Sequence, residues 1–311
     1  MKEIKLKALA KINLGLDVVR KRADGYHEVR MLMQTIKMYD RIHIYTIDKP
    51  EIKIKTNLPY LPVNENNLAY KAAKLLMEEF NVQQGVSIQL TKYIPVAAGM
   101  AGGSANAAAV LVGINRLFKL RLTKRDLMER GVALGADVPY CLLRGTALAE
   151  GIGEELTVLP SMPECYILVA KPEIHVSTKF VYGNLQANEL KEHPDIEGQI
   201  EALREQDLKK LAFKMGNVLE TVTIPAYPVI GELKEQMLAG GALNAMMSGS
   251  GPTVFGLFDD YEKAKEAKRQ LRHHKLAKQI YLTSAYNTGE HTRNVVHNKN
   301  GESVERGGKS E

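Results

Sequence analysis

A run of small residues at 94–110 restricts the possible folds more than any other feature of this chain. It reads IPVAAGMAGGSANAAAV and has no bulky side chain between Met100 and Val110. Apolar residues alternate along 86–96, as in a strand, and recur at helical spacing along 107–118. The order is therefore strand, small-residue loop and helix N-terminus, and exposed backbone amides at such a point form a pocket for an anion.

The loop has two interpretations. Gly99, Gly102 and Gly103 permit close backbone approach, and Ser104 lies where we expect the helix to begin. Successive amides there would hold the β- and γ-phosphates of a nucleotide, with the helix dipole adding favourable potential. Alternatively, the small residues simply let the helix pack tightly against a sheet. The run lacks the G-K-[ST] ending of a Walker A loop and the G-x-G-x-x-G spacing, so the usual nucleotide folds are disfavoured.

Composition indicates a globular chain, since 45% of the 311 residues are apolar and 25% are charged. The longest apolar runs are well short of the roughly 20 residues that cross a bilayer, and the N-terminus lacks the apolar centre of a signal peptide. We therefore expect no membrane partner and a cytoplasmic location. Cys141 and Cys165 have neither disulfide nor metal-site spacing, so we expect both to be small core residues.

The distribution of patterns predicts an α+β protein in two domains. The first sixty residues alternate with period two, and the D-G pair in ADGYHE at 23–28 favours an antiparallel strand pair. Helical spacing recurs later, around 199–220, 228–239 and 261–273. Two prolines in LPSMPE interrupt the regular pattern. We therefore expect an N-terminal domain at 1–158, a C-terminal domain at 159–286 and a polar, disordered tail at 287–311.

Two charged residues stand out in apolar surroundings. ALAKINLGLDV places Lys11 and Asn13 on the same side of a strand, and a buried lysine needs an anionic partner. Asp137 in LGADVPYC is a candidate for that partner, although a solvent-exposed loop aspartate is the commoner case. A later stretch, MMSGSGPTVFGLF at 246–258, is either a hairpin turn or a second loop that approaches bound phosphates.

Three motifs in this order resemble the GHMP kinase superfamily: AKINLGLDV, PVAAGMAGGSANAAA and MSGSGPTVFGLF. The resemblance extends from about residue 4 to about residue 285. Within the superfamily, AKINL, RADGYHEV and GADVPYC together resemble the branch that acts on a cytidine diphosphate derivative of methylerythritol. The resemblance implies a two-domain α+β fold with ATP and this small-molecule substrate in the cleft between the domains. It also implies transfer of the γ-phosphate of ATP to the 2-hydroxyl of the methylerythritol portion.

The resemblance also implies roles for individual residues. Lys11 and Asp137 would be the catalytic pair. The loop that holds the ATP phosphates would comprise Pro95, Val96, Ala97, Ala98, Gly99, Met100, Ala101, Gly102, Gly103, Ser104 and Ala105. Further nucleotide contacts would come from Asn67, Lys92 and Asn106. Contacts to the acceptor substrate would come from Asn13, Tyr26, His27 and Tyr182.

Three details of that assignment are less direct. The second aromatic residue against the cytosine could be Phe180 instead of Tyr182. Mg²⁺ should accompany ATP, with Ser104 as its ligand or as a phosphate contact, and Glu150 is a candidate for an indirect contact to the metal. The superfamily often has glycine where this chain has Ala97 and Ala98, so we expect neither alanine to require a positive φ.

Two other functions are compatible with parts of the sequence. The chain could be a GHMP kinase that acts on another small molecule, such as homoserine or mevalonate. It could also be a nucleic-acid-binding module, since the net charge is +6 and the pI is about 9.0. The basic residues are dispersed among acidic ones with few aromatics between them, so we expect no nucleic-acid partner. No feature of the sequence indicates an oligomeric state.

Overall fold

The structure, a computed structural model, describes residues 2–288, 296–297 and 303–304. Its strands are β1 (Glu3–Lys21), β2 (His27–Ile47), β3 (Ile52–Thr56), β4 (Gly85–Thr91), β5 (Thr146–Glu150), β6 (Glu155–Val158), β7 (Tyr166–Lys171), β8 (Gly216–Asn217), β9 (Asn244–Met247), β10 (Val254–Phe258), β11 (Gln279–Ser284), β12 (Val296–His297) and β13 (Ser303–Val304). Its helices are α1 (Leu68–Glu79), α2 (Gly102–Leu117), α3 (Lys124–Val132), α4 (Asp137–Leu143), α5 (Thr178–Asn184), α6 (Ile196–Glu205), α7 (Leu208–Lys214), α8 (Glu220–Ala226), α9 (Val229–Ala239) and α10 (Tyr261–His274), with a 3-10 helix at Ala187–Glu189.

The first sheet is built around one long antiparallel pair, β1 and β2. The pair is joined by the predicted D-G turn, where Gly25 has φ +87°, and runs from Lys21 opposite His27 to Glu3 opposite Tyr45. The sheet has the order β3-β4-β2-β1-β8, and β5 and β6 extend it from the other end of β2. The period-two pattern of the first sixty residues is thus confirmed.

The second sheet has the order β11-β7-β10-β9 and is antiparallel throughout. The region around 199–220, where helical spacing predicted helical structure, contains two helices and then the strand β8. Gln206 adopts a left-handed conformation with φ +57° and ends α6, and a second, short helix, α7, follows. The chain then forms β8, which pairs in parallel with β1 at Gly15 and Leu16. The second half of the chain therefore contributes a strand to the first sheet.

Helix α2 uses its small residues to pack closely against the first sheet. Ala105, Ala107 and Ala108 are buried in one apolar cluster with residues of β2 and α1. A Cβ atom on Gly113 would lie 2.5 Å from Cδ1 of Ile44, so the absence of a side chain there lets the helix lie close to the sheet. The tight-packing interpretation of the small-residue run therefore holds for the part of the run that lies inside the helix.

Four further features concern the chain as a whole. Strand β6 of the first sheet ends at Val158, and the first strand of the second sheet, β7, begins at Tyr166, while the division of domains at 158/159 stays a prediction. Most of the tail at 287–311 lies outside the described residues; within it, β12 and β13 pair antiparallel.

Both cysteines are buried, as predicted, and burial raises the pKa of Cys165 to about 12. Among the described helices, none is long and apolar enough to span a membrane.

Candidate active site

A cleft of about 400 Å³ lies where β1, the loop before α2, the start of α4, helix α5 and the β9–β10 turn meet. Its lining combines polar side chains with the backbone of two glycine-containing turns. The residues that border it are Lys11, Asn13, Leu16, Met31, Leu68, Ala97, Ala98, Gly99, Ala101, Gly102, Gly103, Ser104, Ala136, Asp137, Ile152, Val176, Thr178, Tyr182, Gly249, Ser250 and Gly251.

Lys11 and Asp137 face each other at the centre of the cleft. Nζ of Lys11 lies 4.0 Å from Oδ2 of Asp137 and donates a 2.7 Å hydrogen bond to Oδ1 of Asn13. The Lys11 side chain is 6% exposed and that of Asp137 is 32% exposed, so the lysine is inside the protein and the carboxylate is open to a ligand. Asp137 is also the first residue of α4, where the helix dipole favours a negative charge. The predicted juxtaposition of Lys11, Asn13 and Asp137 is therefore present.

The loop before α2 presents free backbone amides to the cleft. Helix α2 begins at Gly102, and within the described structure no side chain caps it at Ala101. The first intrahelical hydrogen bond is donated by the amide of Ala105 to the carbonyl of Ala101, at 2.8 Å. The amides of the helix's first turn therefore point outward, as an anion site requires. Ser104 is the third residue of α2, so the expectation that the helix begins at Ser104 is wrong.

Two alanines in this loop adopt the left-handed conformation. Ala97 has φ +49° and Ala101 has φ +53°, while Gly99 has φ +73°. The expectation that Ala97 has no positive φ is therefore wrong, because the turn geometry of this loop overrides the preference of an alanine for negative φ. A non-glycine residue in this conformation costs about 1–2 kcal/mol. Surrounding contacts have to hold the loop in this shape.

One such contact comes from the turn between β9 and β10. Ser248 Oγ donates a 2.9 Å hydrogen bond to the carbonyl of Gly99, and a Cβ atom at Gly99 would collide with the carbonyl oxygen of Ser248. A second contact comes from β1, where the amide of Lys11 donates to the carbonyl of Met100 at 3.3 Å. The SGSG turn, residues 248–251, is thus both a hairpin turn and a loop that contacts the small-residue loop.

Three predicted nucleotide contacts lie outside the cleft lining. Asn67 caps α1 by accepting a 2.9 Å hydrogen bond from the amide of Ala69. Lys92 and Asn106 are buried together and joined by a 2.8 Å hydrogen bond. The predicted loop members that also lie outside the lining are Pro95, Val96, Met100 and Ala105. Direct contacts from these residues to a nucleotide stay predictions.

Two aromatic side chains meet beside the cleft: Tyr182 borders it, and His27, which lies outside the lining, contacts Tyr182. The rings of His27 and Tyr182 have centroids 5.1 Å apart and are tilted by 44°. Burial raises the pKa of Tyr182, and the charge of Asp137 adds a smaller effect in the same direction. Burial lowers the pKa of His27, and the charge of Lys21 lowers it further. Both rings are therefore neutral at pH 7. Tyr26 is 60% exposed and lies outside the lining.

Tyr182, and not Phe180, borders the cleft. Phe180 packs edge-on against Tyr227 at a centroid distance of 6.3 Å and is 40% exposed. The two residues lie on the same short helix, α5, but on different sides of it. The alternative assignment of the second aromatic residue to Phe180 is therefore not supported by the geometry.

Sequence reasoning missed two contributors to the site. Thr178 lies at the start of α5, and its hydroxyl lies 2.8 Å from that of Ser250, so it joins the helix that carries Tyr182 to the SGSG turn. Asp40 is fully buried in β2 and holds Lys92 and Asn106. A signal for Asp40 exists, since it is a charge within the strand pattern KMYDRIHI, but that pattern does not reveal its partners.

The structure offers few ligands for a metal ion. The described residues contain no group of three or more His, Cys, Asp or Glu side chains that could hold one. Of the described residues that border the cleft, Asp137 is the one carboxylate, and Ser104 adds a hydroxyl. Glu150 accepts a 3.0 Å hydrogen bond from Arg30. A Mg²⁺ ion held mainly by nucleotide phosphates and water, with one or two protein oxygens, fits this donor set.

Comparison with known proteins identifies the class of this protein. The GHMP kinases N terminal domain matches residues 67–145, and the GHMP kinases C terminal domain matches residues 199–276. The chain belongs to the GHMP kinase family. It is therefore an ATP-dependent phosphotransferase with the expected α+β fold.

Individual relatives are more specific. A protein of Lachnospira eligens is 57% identical over 286 residues, which are 92% of this chain and 99% of that protein. One of Lachnoclostridium phytofermentans is 56% identical over 280 residues, 90% of this chain and 96% of that protein. Both are named 4-diphosphocytidyl-2-C-methyl-D-erythritol kinase.

Solved structures agree with these relatives. A 4-(cytidine 5'-diphospho)-2C-methyl-D-erythritol kinase matches with a TM-score of 0.78 and 32% identity, covering 92% of this chain and 100% of that one. A homoserine kinase from Cytophaga hutchinsonii matches with a TM-score of 0.75 and 22% identity, covering 93% of this chain and 96% of that one. The second match shows a shared fold.

The contact between Gly99 and Ser248 gives a first prediction. Gly99→Ala should raise the KM for ATP at least tenfold, because the added Cβ atom displaces the loop from the SGSG turn. Steady-state kinetics with varied ATP measures this change. Gly25→Ala is the matched control, since Gly25 also has a positive φ but a Cβ atom there would meet nothing within 4 Å. An unchanged KM for ATP in the folded Gly99→Ala variant would contradict the prediction.

Proposed function

We propose that this chain transfers the γ-phosphate of ATP to the 2-hydroxyl of 4-diphosphocytidyl-2-C-methyl-D-erythritol, an intermediate of the non-mevalonate route to isoprenoid precursors. One observation carries the proposal: the Lys11–Asp137 pair and Tyr182, which contacts His27, border the same cleft. The first pair suits phosphoryl transfer and the second suits recognition of a base. The names of the relatives support the same substrate.

The small-residue loop is the proposed site for the ATP phosphates. The free amides at the start of α2 and the positive end of its dipole both favour an anion. Ala97, Gly99 and Ala101 present further backbone at the cleft surface, since small side chains leave it accessible. ATP would therefore lie with its phosphates between this loop and the SGSG turn.

Lys11 and Asp137 are the proposed catalytic residues. Phosphoryl transfer through a loose transition state needs positioning and charge stabilisation more than covalent chemistry. Asp137, the more exposed of the two, would orient the 2-hydroxyl and accept its proton. Lys11 would hold Asp137 in place by charge attraction and neutralise the charge that develops on the transferred phosphoryl group. Asn13 fixes the direction of the Lys11 ammonium group through its 2.7 Å hydrogen bond.

Tyr182 and His27 are proposed to bind the cytosine. A flat aromatic face holds any base, and a hydrogen bond to the edge of the base selects among bases. The neutral imidazole of His27 has one donor and one acceptor nitrogen, which suits the edge of cytosine. Tyr26, on the exposed turn beside it, would complete the stack once substrate is bound.

Mg²⁺ is proposed to enter with ATP. It would neutralise phosphate charge, and Ser104 is the proposed protein ligand or phosphate contact. The cytoplasmic location and the lack of a nucleic-acid partner stay predictions.

A panel of acceptors tests this function. ADP release should require ATP, Mg²⁺ and 4-diphosphocytidyl-2-C-methyl-D-erythritol, and mevalonate and homoserine should give at most background, since neither carries a base for Tyr182 and His27 to bind. A coupled assay for ADP measures all three acceptors. Turnover with homoserine or mevalonate would overturn the proposed substrate but keep the kinase. Salt-sensitive RNA binding without ADP release from any acceptor would instead favour a nucleic-acid module.

The aromatic pair gives a separate prediction. Tyr182→Leu should raise the KM for the cytidylated substrate about tenfold, since stacking a base on an aromatic ring contributes about 1–3 kcal/mol. The KM for ATP should stay within twofold of its original value. Phe180→Leu is the matched control on the same helix, because Phe180 packs against Tyr227 away from the cleft. Equal effects of the two substitutions would refute the assignment of Tyr182.

A further inference from the structure

Asp40 is a fully buried carboxylate whose two oxygens each accept two hydrogen bonds. Oδ1 accepts from the backbone amides of Tyr93, at 2.7 Å, and Ile94, at 2.9 Å. Oδ2 accepts from the ammonium group of Lys92 and, at 2.8 Å, from Nδ2 of Asn106. Lys92 also donates to Oδ1 of Asn106 at 2.8 Å. The network of Asp40, Lys92 and Asn106 is thus closed within the protein.

This network joins the two ends of the small-residue loop. Residues 92–94 lead from β4 into the loop, and Asn106 lies in the helix that follows it. Asp40 itself lies on β2, at the centre of the first sheet. One side chain of a rigid strand therefore fixes both the entry and the exit of the loop at 95–101.

The network also lies directly beneath the first residue of α2. A Cβ atom on Gly102 would be 3.3 Å from Nζ of Lys92 and 3.1 Å from Cγ2 of Ile94. Gly102 borders the cleft on its other side. A shift of Lys92 or Ile94 would therefore displace the helix N-terminus that faces the cleft.

Stability alone is a poor reason for burying this ion pair. The desolvation of two buried charges offsets most of their attraction, and apolar residues of similar volume are often as stable. The loop, in contrast, needs external support, because Ala97 and Ala101 are both left-handed. The contacts of Asp40 provide that support at both ends of the loop.

We propose that Asp40 is a positioning residue for the ATP phosphates: by holding Lys92–Ile94 and Asn106, it sets the geometry of the phosphate-binding loop without touching the nucleotide. The inference rests on the proposed function in one respect, that this loop binds ATP phosphates. It is independent of the acceptor substrate.

Asp40→Asn tests this role through nucleotide binding. An amide nitrogen in place of one oxygen would face donors, because both carboxylate oxygens accept hydrogen bonds, and rotating the amide does not relieve the conflict. Calorimetric titration should show the Kd for ADP raised at least tenfold and the Kd for CDP, the probe of the acceptor side, unchanged within twofold. Circular dichroism and thermal unfolding establish that the variant is folded.

Thr146→Val is the matched control for a purely structural effect. Thr146→Val removes a buried 2.7 Å hydrogen bond to Gln34 on β2, which has no link to the loop, so it should lower the Tm and leave both Kd values unchanged.

If Asp40→Asn does not fold, Asn106→Ala is used in its place. That variant keeps the Asp40–Lys92 ion pair and should raise the Kd for ADP about threefold or more.

Two outcomes would overturn the inference. One is a Kd for ADP within twofold of that of the original protein in a folded Asp40→Asn variant. If Asp40→Asn does not fold, the same result in a folded Asn106→Ala variant counts. The other is an equal loss of ADP and CDP affinity, which indicates general loosening of the fold. A failure to phosphorylate the cytidylated acceptor would refute the proposed function alone, since the ADP titration involves no acceptor.

Discussion

The ammonium group of Lys11, held inside the protein 4.0 Å from the carboxylate of Asp137, constrains most of the surrounding structure. An ionised lysine is costly to bury unless an anion and hydrogen-bond acceptors are near. Asn13, two residues along the same strand, supplies one acceptor. Asp137, the first residue of α4, supplies the anion. The backbone of Lys11 in turn binds the loop before α2 at Met100. Lys11 on β1 therefore contacts both the proposed catalytic carboxylate and the proposed phosphate-binding loop.

The small-residue run performs two tasks that the sequence could not separate. Its first part, 97–104 apart from Met100, borders the cleft and presents backbone amides, whereas its second part, 105–110, lies within α2 and is buried against the first sheet. Both tasks need small side chains, one for access of an anion and the other for close packing. Contacts from Ser248, and from Asp40 through Lys92 and Asn106, hold the left-handed loop in place.

Local patterns predicted the parts of this structure that depend on local physics. The alternation of β1 and β2, the D-G turn and the order strand, loop and helix are all set by neighbouring residues, and all are present. Lys11, Asn13 and Asp137 lie together as the motifs predicted, and Tyr182, which borders the same cleft, contacts His27, while their roles stay predictions. What sequence reasoning missed depends on contacts between distant segments. The pairing of β8 with β1, the left-handed Ala97 and the partners of Asp40 leave no periodic signal.

The role of Asp137 is tested most directly by the single-turnover rate of phosphoryl transfer from ATP to 4-diphosphocytidyl-2-C-methyl-D-erythritol in an Asp137→Asn variant. If the carboxylate orients the hydroxyl and accepts its proton, the rate should fall by about 10²–10⁴-fold. The affinities for ATP and for the acceptor should change little, because the amide keeps the size and position of the side chain. Transfer at the original rate by the Asn variant would contradict a catalytic role for Asp137 in this cleft.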